Sequence, residues 1–145
     1  MHVARLTSII TVAVVASLAI ACGSSNSNTP TTPTPTVTFS TQIQQQIFTP
    51  ACAPCHTDDG RTPPAGLNLR AAATSYANLV GVASTGKAGA TRVIAGNPSG
   101  SYLVQKLEGA ADIVGLRMPR NGPPFLTDAQ VALIRQWIQI GAPNN

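Results

Sequence analysis

The sequence predicts a mainly α-helical domain whose helices are joined by long ordered loops. Apolar residues recur at helical spacing in several segments, most clearly between Thr127 and Gly141. No segment shows the apolar and polar alternation of a half-buried strand. Because long loops rarely stay ordered by themselves in a small helical domain, we expect a large apolar group at its centre on which they can pack.

The chain of 145 residues divides into three parts. We expect an export signal in residues 1–21, a tether in 22–38 and the folded domain in 39–145. His2 and Arg5 give the signal a weakly positive start, and the rest of it is apolar or small and uncharged. Since this run is short for a permanent membrane helix, it favours a cleaved signal.

The signal ends in Leu18-Ala19-Ile20-Ala21-Cys22, which resembles the lipobox of bacterial lipoproteins. Lipoproteins of this kind are cut before the cysteine, so the sulfur of Cys22 would carry a diacylglycerol. A plain secretory signal and an uncleaved anchor helix are the alternatives. All three interpretations export the folded domain to the periplasm or the cell exterior, and lipidation would anchor it to a bacterial membrane.

The segment after Cys22 has the composition of a flexible tether. Residues 23–38 are mainly Ser, Asn, Thr and Pro, without charge, and Val37 is their one large apolar residue. Such a segment cannot bury enough surface to offset its ordering entropy. Its repeated Thr-Pro steps favour an extended chain, and about 16 residues at roughly 3 Å each would reach about 50 Å from the membrane.

Three helices are expected in the first part of the domain. The first begins at a capping box formed by Thr41 and Gln44 and ends at Pro50. Its inner face carries Ile43, Ile47 and Phe48. A second helix is predicted over residues 71–80 and a third over 101–107. Apolar residues at core spacing in the second helix are Tyr76, Leu79 and Val80.

The last helix has the strongest local signals. Thr127 is a favoured N-cap residue, Gln130 completes a capping box, and Leu126 can pack onto Val131 as a hydrophobic staple. Gly141 ends the helix. One apolar stripe runs along it through Val131, Ile134, Trp137 and Ile138.

The segment Cys52-Ala53-Pro54-Cys55-His56 has the Cys-x-x-Cys-His spacing of haem c attachment. Two thiols three residues apart fall on one side of a helical turn, where they can add to the two vinyl groups of one porphyrin. The imidazole of the next residue can then reach the iron from one face. We therefore expect one haem c per chain, bound through Cys52 and Cys55, with His56 as an iron ligand.

The cysteine pair has three other interpretations, namely a redox pair, a disulfide and half of a zinc site. A zinc site needs four ligands, and the mature sequence offers no second Cys or His pair. A thioredoxin-type motif opens a helix in a βαβ unit, and no such unit is predicted. The odd total of three cysteines is explained when Cys22 carries a lipid and the other two carry haem.

The second axial ligand of the iron is expected to be Met118. Because Met1 and His2 leave with the signal, Met118 is the only other thioether or imidazole in the mature sequence. The proline that follows favours an extended, loop-like backbone at Met118. The alternatives are an ordinary core methionine beside an open iron site, or ligation by Lys87 or Lys106.

With these features, residues 39–143 resemble a monohaem class I cytochrome c domain of an exported bacterial lipoprotein. The resemblance consists of a helix leading into CAPCH, a Met-Pro step at Met118-Pro119, a Gly-Pro-Pro turn at 122–124 and a last helix that ends near Trp137. CAPCH and the Met-Pro step are its most specific parts, and the middle of the domain contributes less.

The resemblance implies a cytochrome c-like helical fold around the haem, with His56 and Met118 as axial ligands. It also implies that the first and last helices pack crosswise, with Phe48 and Trp137 near their contact. The Gly- and Ala-rich loop 81–97 departs from the family pattern, and the resemblance gives it no role.

We expect a one-electron carrier and not an enzyme, because a six-coordinate iron with His and Met ligands leaves no place for a small-molecule substrate. Partners would be redox proteins; dispersed positive charge does not favour nucleic acid. A haem enzyme or gas sensor with an open distal site and a non-haem interaction lipoprotein are the alternatives. Candidates to pair with the haem propionates or an acidic partner are Arg92, Arg117 and Arg120.

Overall fold

The computed structural model describes residues 36–145; the expected signal, Cys22 and most of the expected tether lie outside them. This part of the chain is mainly helical, as predicted, and it contains isolated β-bridges but no strand. None of the helices described is long and apolar enough to span a membrane.

The first helix is a π-helix, Phe39–Phe48, that runs directly into the short helix α1, Thr49–Ala51. The helical stretch ends at Ala51, one residue after the predicted end at Pro50. Pro50 lies in the first turn of α1, where its missing N–H leaves no hydrogen bond unmade. The chain therefore enters the segment 52–56 directly from a helix.

The start of the π-helix also differs from the prediction. Thr38 is the N-cap residue, and its N–H donates to Gln42 Oε1 at 2.8 Å. The capping box of Thr41 and Gln44 does not form, because the Gln44 side chain is 3% exposed and donates inward to the Leu69 carbonyl oxygen at 2.9 Å.

The other helices lie close to their predicted positions: α2 is Ala72–Leu79, α3 is Tyr102–Glu108 and α4 is Asp128–Gln139. The capping box of α4 is confirmed. Thr127 Oγ1 accepts from the Gln130 N–H at 3.2 Å, and Gln130 Oε1 accepts from the Thr127 N–H at 2.9 Å. The buried face of α4 carries the predicted stripe Val131, Ile134, Trp137 and Ile138.

An aromatic cluster joins the π-helix to α4. Phe39 stacks on Trp137 with ring centroids 4.8 Å apart and an interplanar angle of 27°. Phe48 and Tyr76 meet the same Phe39 ring edge-on, at 6.2 and 5.6 Å. Phe39, at the beginning of the helix, makes the ring contact with Trp137. Phe48, which the resemblance placed near the contact of these two helices, meets Trp137 through Phe39.

The two ends of the described chain are hydrogen-bonded to each other. The Phe39 N–H donates to Asn145 Oδ1 at 2.8 Å, and the Ser40 N–H donates to the Asn145 carbonyl oxygen at 2.8 Å. Val37, which falls within the expected tether 22–38, is 3% exposed and belongs to the core. The packed region thus includes the two residues before Phe39.

Candidate functional site

One cavity of about 590 Å³ brings the predicted site residues of the folded domain together. Cys52, Cys55 and His56 line it from the turn after α1, and Met118 lines it from the loop before α4. Its volume lies in the usual range for cofactor and ligand sites, roughly 300–1,000 Å³. The rest of the wall is mostly apolar and includes Leu67, Leu69, Leu79, Leu103 and Leu107.

The two thiols of this turn lie in different environments. Cys52 is half-buried and Cys55 is exposed, and both are free. Burial, and after it the charge of Cys55, raises the pKa of the Cys52 thiol to about 12. A thiol with this pKa is protonated at neutral pH and is a poor nucleophile.

The imidazole of His56 is held in one tautomer. Its Nδ1 lies 3.2 Å from the Leu67 carbonyl oxygen, and because a carbonyl only accepts, Nδ1 carries the proton. The lone pair is then on Nε2, the form in which an imidazole binds a metal. Burial lowers the pKa of His56, which keeps the ring neutral at pH 7.

The segment 67–69 positions His56 through the backbone as well as the ring. The Leu69 N–H donates to the His56 carbonyl oxygen at 2.8 Å. Gln44 in turn donates to the Leu69 carbonyl oxygen at 2.9 Å and to Thr49 Oγ1 at 3.2 Å. Gln44 is therefore a positioning residue that the sequence analysis missed. Gln44 lies on the apolar side of an amphipathic helix, and that position could have indicated a buried polar side chain with a structural role.

Hydrogen bonds from α3 hold the Met118 loop, residues 110–119, in place. The Met118 N–H donates to the Lys106 carbonyl oxygen at 2.9 Å. The Lys106 ammonium donates to the carbonyl oxygens of Val114, at 2.9 Å, and Leu116. Tyr102 Oη accepts from the Val114 N–H at 3.0 Å. One helix thus fixes the backbone on which the methionine is carried.

Both lysines that were alternatives to Met118 are engaged elsewhere. The Lys106 ammonium is bound to the two loop carbonyls, and burial lowers its pKa. Lys87 forms an ion pair with Asp112 at 2.6 Å and lies 5.4 Å from the centre of the Tyr102 ring. A charged, hydrogen-bonded ammonium has no lone pair for iron, so these contacts favour Met118 as the ligand.

The loop 81–97, to which the family resemblance assigned no role, carries Arg92 on the cavity wall. Isolated β-bridges pair its two arms. The Arg92 side chain is 7% exposed, and it donates to the carbonyl oxygens of Asn78 and Ala65, both at 2.7 Å. Burial lowers the pKa of Arg92. A buried cation of this kind is stabilised by an anion in the cavity.

Among the arginines proposed to face haem or a partner, Arg117 is not part of the cavity wall. Its Nε donates to the Leu107 carbonyl oxygen at 2.7 Å, and its guanidinium lies 4.2 Å over the Phe125 ring, which turns it away. Arg61, which the sequence analysis did not select, lines the cavity instead. The two predicted arginines that line it are Arg92 and Arg120.

Within residues 36–145, no group of three or more His, Cys, Asp or Glu side chains could hold a metal ion. A haem iron differs from such a site, because the porphyrin supplies four ligands and the protein supplies only the axial ones. One imidazole and one thioether on the same cavity are therefore a complete protein contribution to a haem iron.

Comparison of the chain with protein-family models, curated proteins and solved structures gives no match.

Proposed function

We propose that this protein is a membrane-tethered one-electron carrier with a single haem c in the cavity. Cys52 and Cys55 would hold the haem covalently, and His56 and Met118 would be the axial ligands. The observation that carries the proposal is that CAPCH and Met118, far apart in the sequence, line the same cavity. A zinc site or a redox pair would account for the cysteines but not for Met118.

The wall of the cavity suits the remaining parts of a haem. Its leucines match the apolar faces of a porphyrin, and Arg92 is a buried cation that could pair with a propionate. When bound, the haem would supply an Fe(II)/Fe(III) couple. The protein's own part is to fix the imidazole through segment 67–69, to hold the thioether through α3 and to exclude water with the leucine wall.

The contacts of the Met118 loop favour a carrier over a haem enzyme or gas sensor. Both alternatives need a distal position that opens to a substrate or a gas. Opening here would break the bonds from Lys106 and Tyr102 to the loop. A firmly held ligand pair suits electron transfer, because the coordination then changes little between the two iron oxidation states.

The tether belongs to the same proposal. A lipid on Cys22 would anchor the protein to a bacterial membrane, and the segment 22–38 would let the domain move between redox partners in the periplasm or at the cell exterior. Haem attached covalently would not be lost from a small exported domain.

The test is spectroscopy on the full chain, purified after export in a bacterium that has the haem-attachment machinery. We expect sharp absorption bands on reduction and the weak far-red methionine–iron band on oxidation. Carbon monoxide should leave the reduced spectrum unchanged. A maleimide reagent should find no free thiol at Cys52 or Cys55, because both would be thioethers.

Two results would reject the proposal in different ways. A high-spin spectrum that shifts with carbon monoxide would indicate an open iron site and therefore the enzyme or sensor. A colourless protein whose Cys55 reacts with maleimide would indicate an interaction lipoprotein without haem.

Lys106 offers a prediction about the stability of the ligand pair. Lys106→Leu keeps an apolar stem but removes the donors to Val114 and Leu116. Losing about 1.4 kcal/mol of charge-assisted hydrogen bonding should raise the apparent affinity of added imidazole for the iron about tenfold, since imidazole must displace Met118. Absorbance titration of the oxidised protein measures this affinity.

Arg70→Leu is the matched control for Lys106→Leu. It also removes a cation, but Arg70 pairs with Asp59 on the surface and does not contact the Met118 loop. Imidazole affinity in this variant should equal that of the unaltered protein. Equal increases in both variants would show that net charge, and not the attachment of the loop, controls the exchange.

A further inference from the structure

The loop 81–97 is attached both to itself and to α3. The Arg92 N–H donates to the Val82 carbonyl oxygen at 2.8 Å, and the Leu103 N–H of α3 donates to the Arg92 carbonyl oxygen at 2.9 Å. Isolated β-bridges join the two arms of the loop. A loop held in this way can fix the position of a segment that it contacts.

The segment that it contacts is the turn 63–67, which orients the ring of His56. The Leu67 carbonyl oxygen of this turn lies 3.2 Å from His56 Nδ1. Ala65, two residues earlier, has a φ of 54°, in the left-handed region that residues other than glycine rarely adopt. A backbone conformation of this kind persists only where the surrounding contacts hold it. The shape of the turn, and with it the place of the Leu67 carbonyl, therefore depends on what holds Ala65.

Two side chains of the loop 81–97 converge on the carbonyl oxygen of Ala65. Thr85 Oγ1 donates to it at 2.6 Å, and the Arg92 guanidinium donates to it at 2.7 Å. The same guanidinium donates to the Asn78 carbonyl oxygen of α2, also at 2.7 Å. Both lone pairs of the Ala65 carbonyl are thus engaged, so the peptide plane that follows Ala65 is fixed against the loop and α2.

We propose that Thr85 and Arg92 are positioning residues for His56, and that the loop 81–97 is a brace for the imidazole ligand. By holding Ala65, they keep the turn in the shape in which Leu67 accepts from His56 Nδ1. This rests on the proposed function, because the brace affects electron transfer only where His56 binds the haem iron.

The brace would act on the reduction potential through the donor strength of the imidazole. A firm hydrogen bond from Nδ1 to a carbonyl raises the basicity of Nε2. A more basic Nε2 stabilises Fe(III) relative to Fe(II). The loop that holds Leu67 in place would therefore keep the reduction potential lower than a loosened turn would allow.

Thr85 is a better residue to change than Arg92, because it carries no charge. A change at Arg92 would also remove a cation from the cavity wall and shift the reduction potential by charge alone. Thr85→Val replaces the hydroxyl by a methyl group and, since Thr85 is exposed, should leave the domain folded. Thr91→Val is the matched control, because it makes the same change on the same loop at a hydroxyl that does not bind Ala65.

The test follows the Nδ1 proton of His56 by nuclear magnetic resonance in the haem-loaded full chain, reduced to Fe(II). The chain has two histidines and His2 belongs to the expected export signal, so labelled histidine gives a ring resonance that can be assigned to His56. We expect Thr85→Val to speed exchange of this proton with water about tenfold, the factor for one weakened hydrogen bond. Thr91→Val should leave the exchange rate unchanged, and Thr85→Ser, which keeps the donor, should do the same.

Ala65→Gly tests whether the brace acts by holding the left-handed turn. Glycine adopts this conformation without a steric penalty, so the turn then needs less support. In the Ala65→Gly background, Thr85→Val should therefore speed the exchange by a smaller factor than in the unaltered chain. A redox titration gives the second readout: Thr85→Val should raise the reduction potential, so that the ratio of Fe(III) to Fe(II) at a fixed solution potential falls several-fold.

Unchanged proton exchange in Thr85→Val, or an equal increase in Thr91→Val, would overturn the brace while leaving the carrier intact. A reduction potential that rises without faster exchange would overturn it too, because the hydroxyl would then act on the haem as a dipole and not through His56. A colourless protein would instead refute the proposed function itself, which the absorption spectrum shows before any exchange is measured.

Discussion

Trp137→Ala is expected to lower the free energy of unfolding of the protein by about 4 kcal/mol. The indole is fully buried, stacks on Phe39 at 4.8 Å and donates from Nε1 to the Pro143 carbonyl oxygen at 2.9 Å. Its removal leaves a large cavity where the first and last helices meet. The midpoint of guanidinium unfolding, followed by circular dichroism, should fall by about 1 M.

Two further variants, one at Trp137 and one at Ile140, the C-cap residue of α4, isolate this contact. Ile140→Ala, at a residue 43% exposed, should change the unfolding free energy by less than about 1 kcal/mol. Trp137→Phe keeps a ring to stack on Phe39 but loses the bond to Pro143, so its loss should be intermediate. Equal effects of Trp137→Ala and Ile140→Ala would contradict the proposed role of the aromatic cluster.

The sequence predicted α4 well because the signals for that helix are local. The capping residues Thr127 and Gln130 lie three positions apart, and the buried stripe follows the helical period in twelve consecutive residues. The mainly α class follows from the same kind of pattern. Capping and helical periodicity depend only on residues close together in the sequence, so they can be predicted without the rest of the chain.

The beginning of the first helix could not be predicted in the same way. Phe39 is fixed by its stacking on Trp137 and by the hydrogen bond to Asn145, both about a hundred residues away in the sequence. The local pattern favoured Thr41 and Gln44 as a capping box, but Gln44 finds a better partner in the Leu69 carbonyl oxygen. Tertiary contacts therefore overrode the local signal.

At the candidate site, the sequence identified the ligand by its residue type, but only the structure shows how that ligand is held. Met118 was selected because it was the one suitable ligand left in the mature sequence, and the structure places it on the cavity that CAPCH also lines. The attachment of its loop by Lys106 has no sequence signature. Arg117 and Arg61 are the same residue type, and only the course of the backbone places Arg61 on the cavity wall and Arg117 away from it. The sequence therefore could not predict which of the two lines the cavity.

Met118→Ala is expected to abolish the far-red band of the oxidised protein and to lower the reduction potential by more than about 100 mV. A thioether ligand stabilises Fe(II) relative to Fe(III), and axial ligands as a group tune haem potentials over about 0.8 V. The haem should stay attached, because Cys52, Cys55 and His56 are untouched. Absorption spectra and a redox titration measure both effects.

Met118→His is the informative companion variant, because it restores a strong ligand without the thioether. It should keep a six-coordinate, low-spin spectrum yet show the lowered potential. Val114→Ala, on the same loop and also lining the cavity, should retain the band and the potential. If the band persists in Met118→Ala, the ligand must be another residue. A double variant that adds Lys106→Leu would then test the nearest remaining donor, whose ammonium already lies beside the loop.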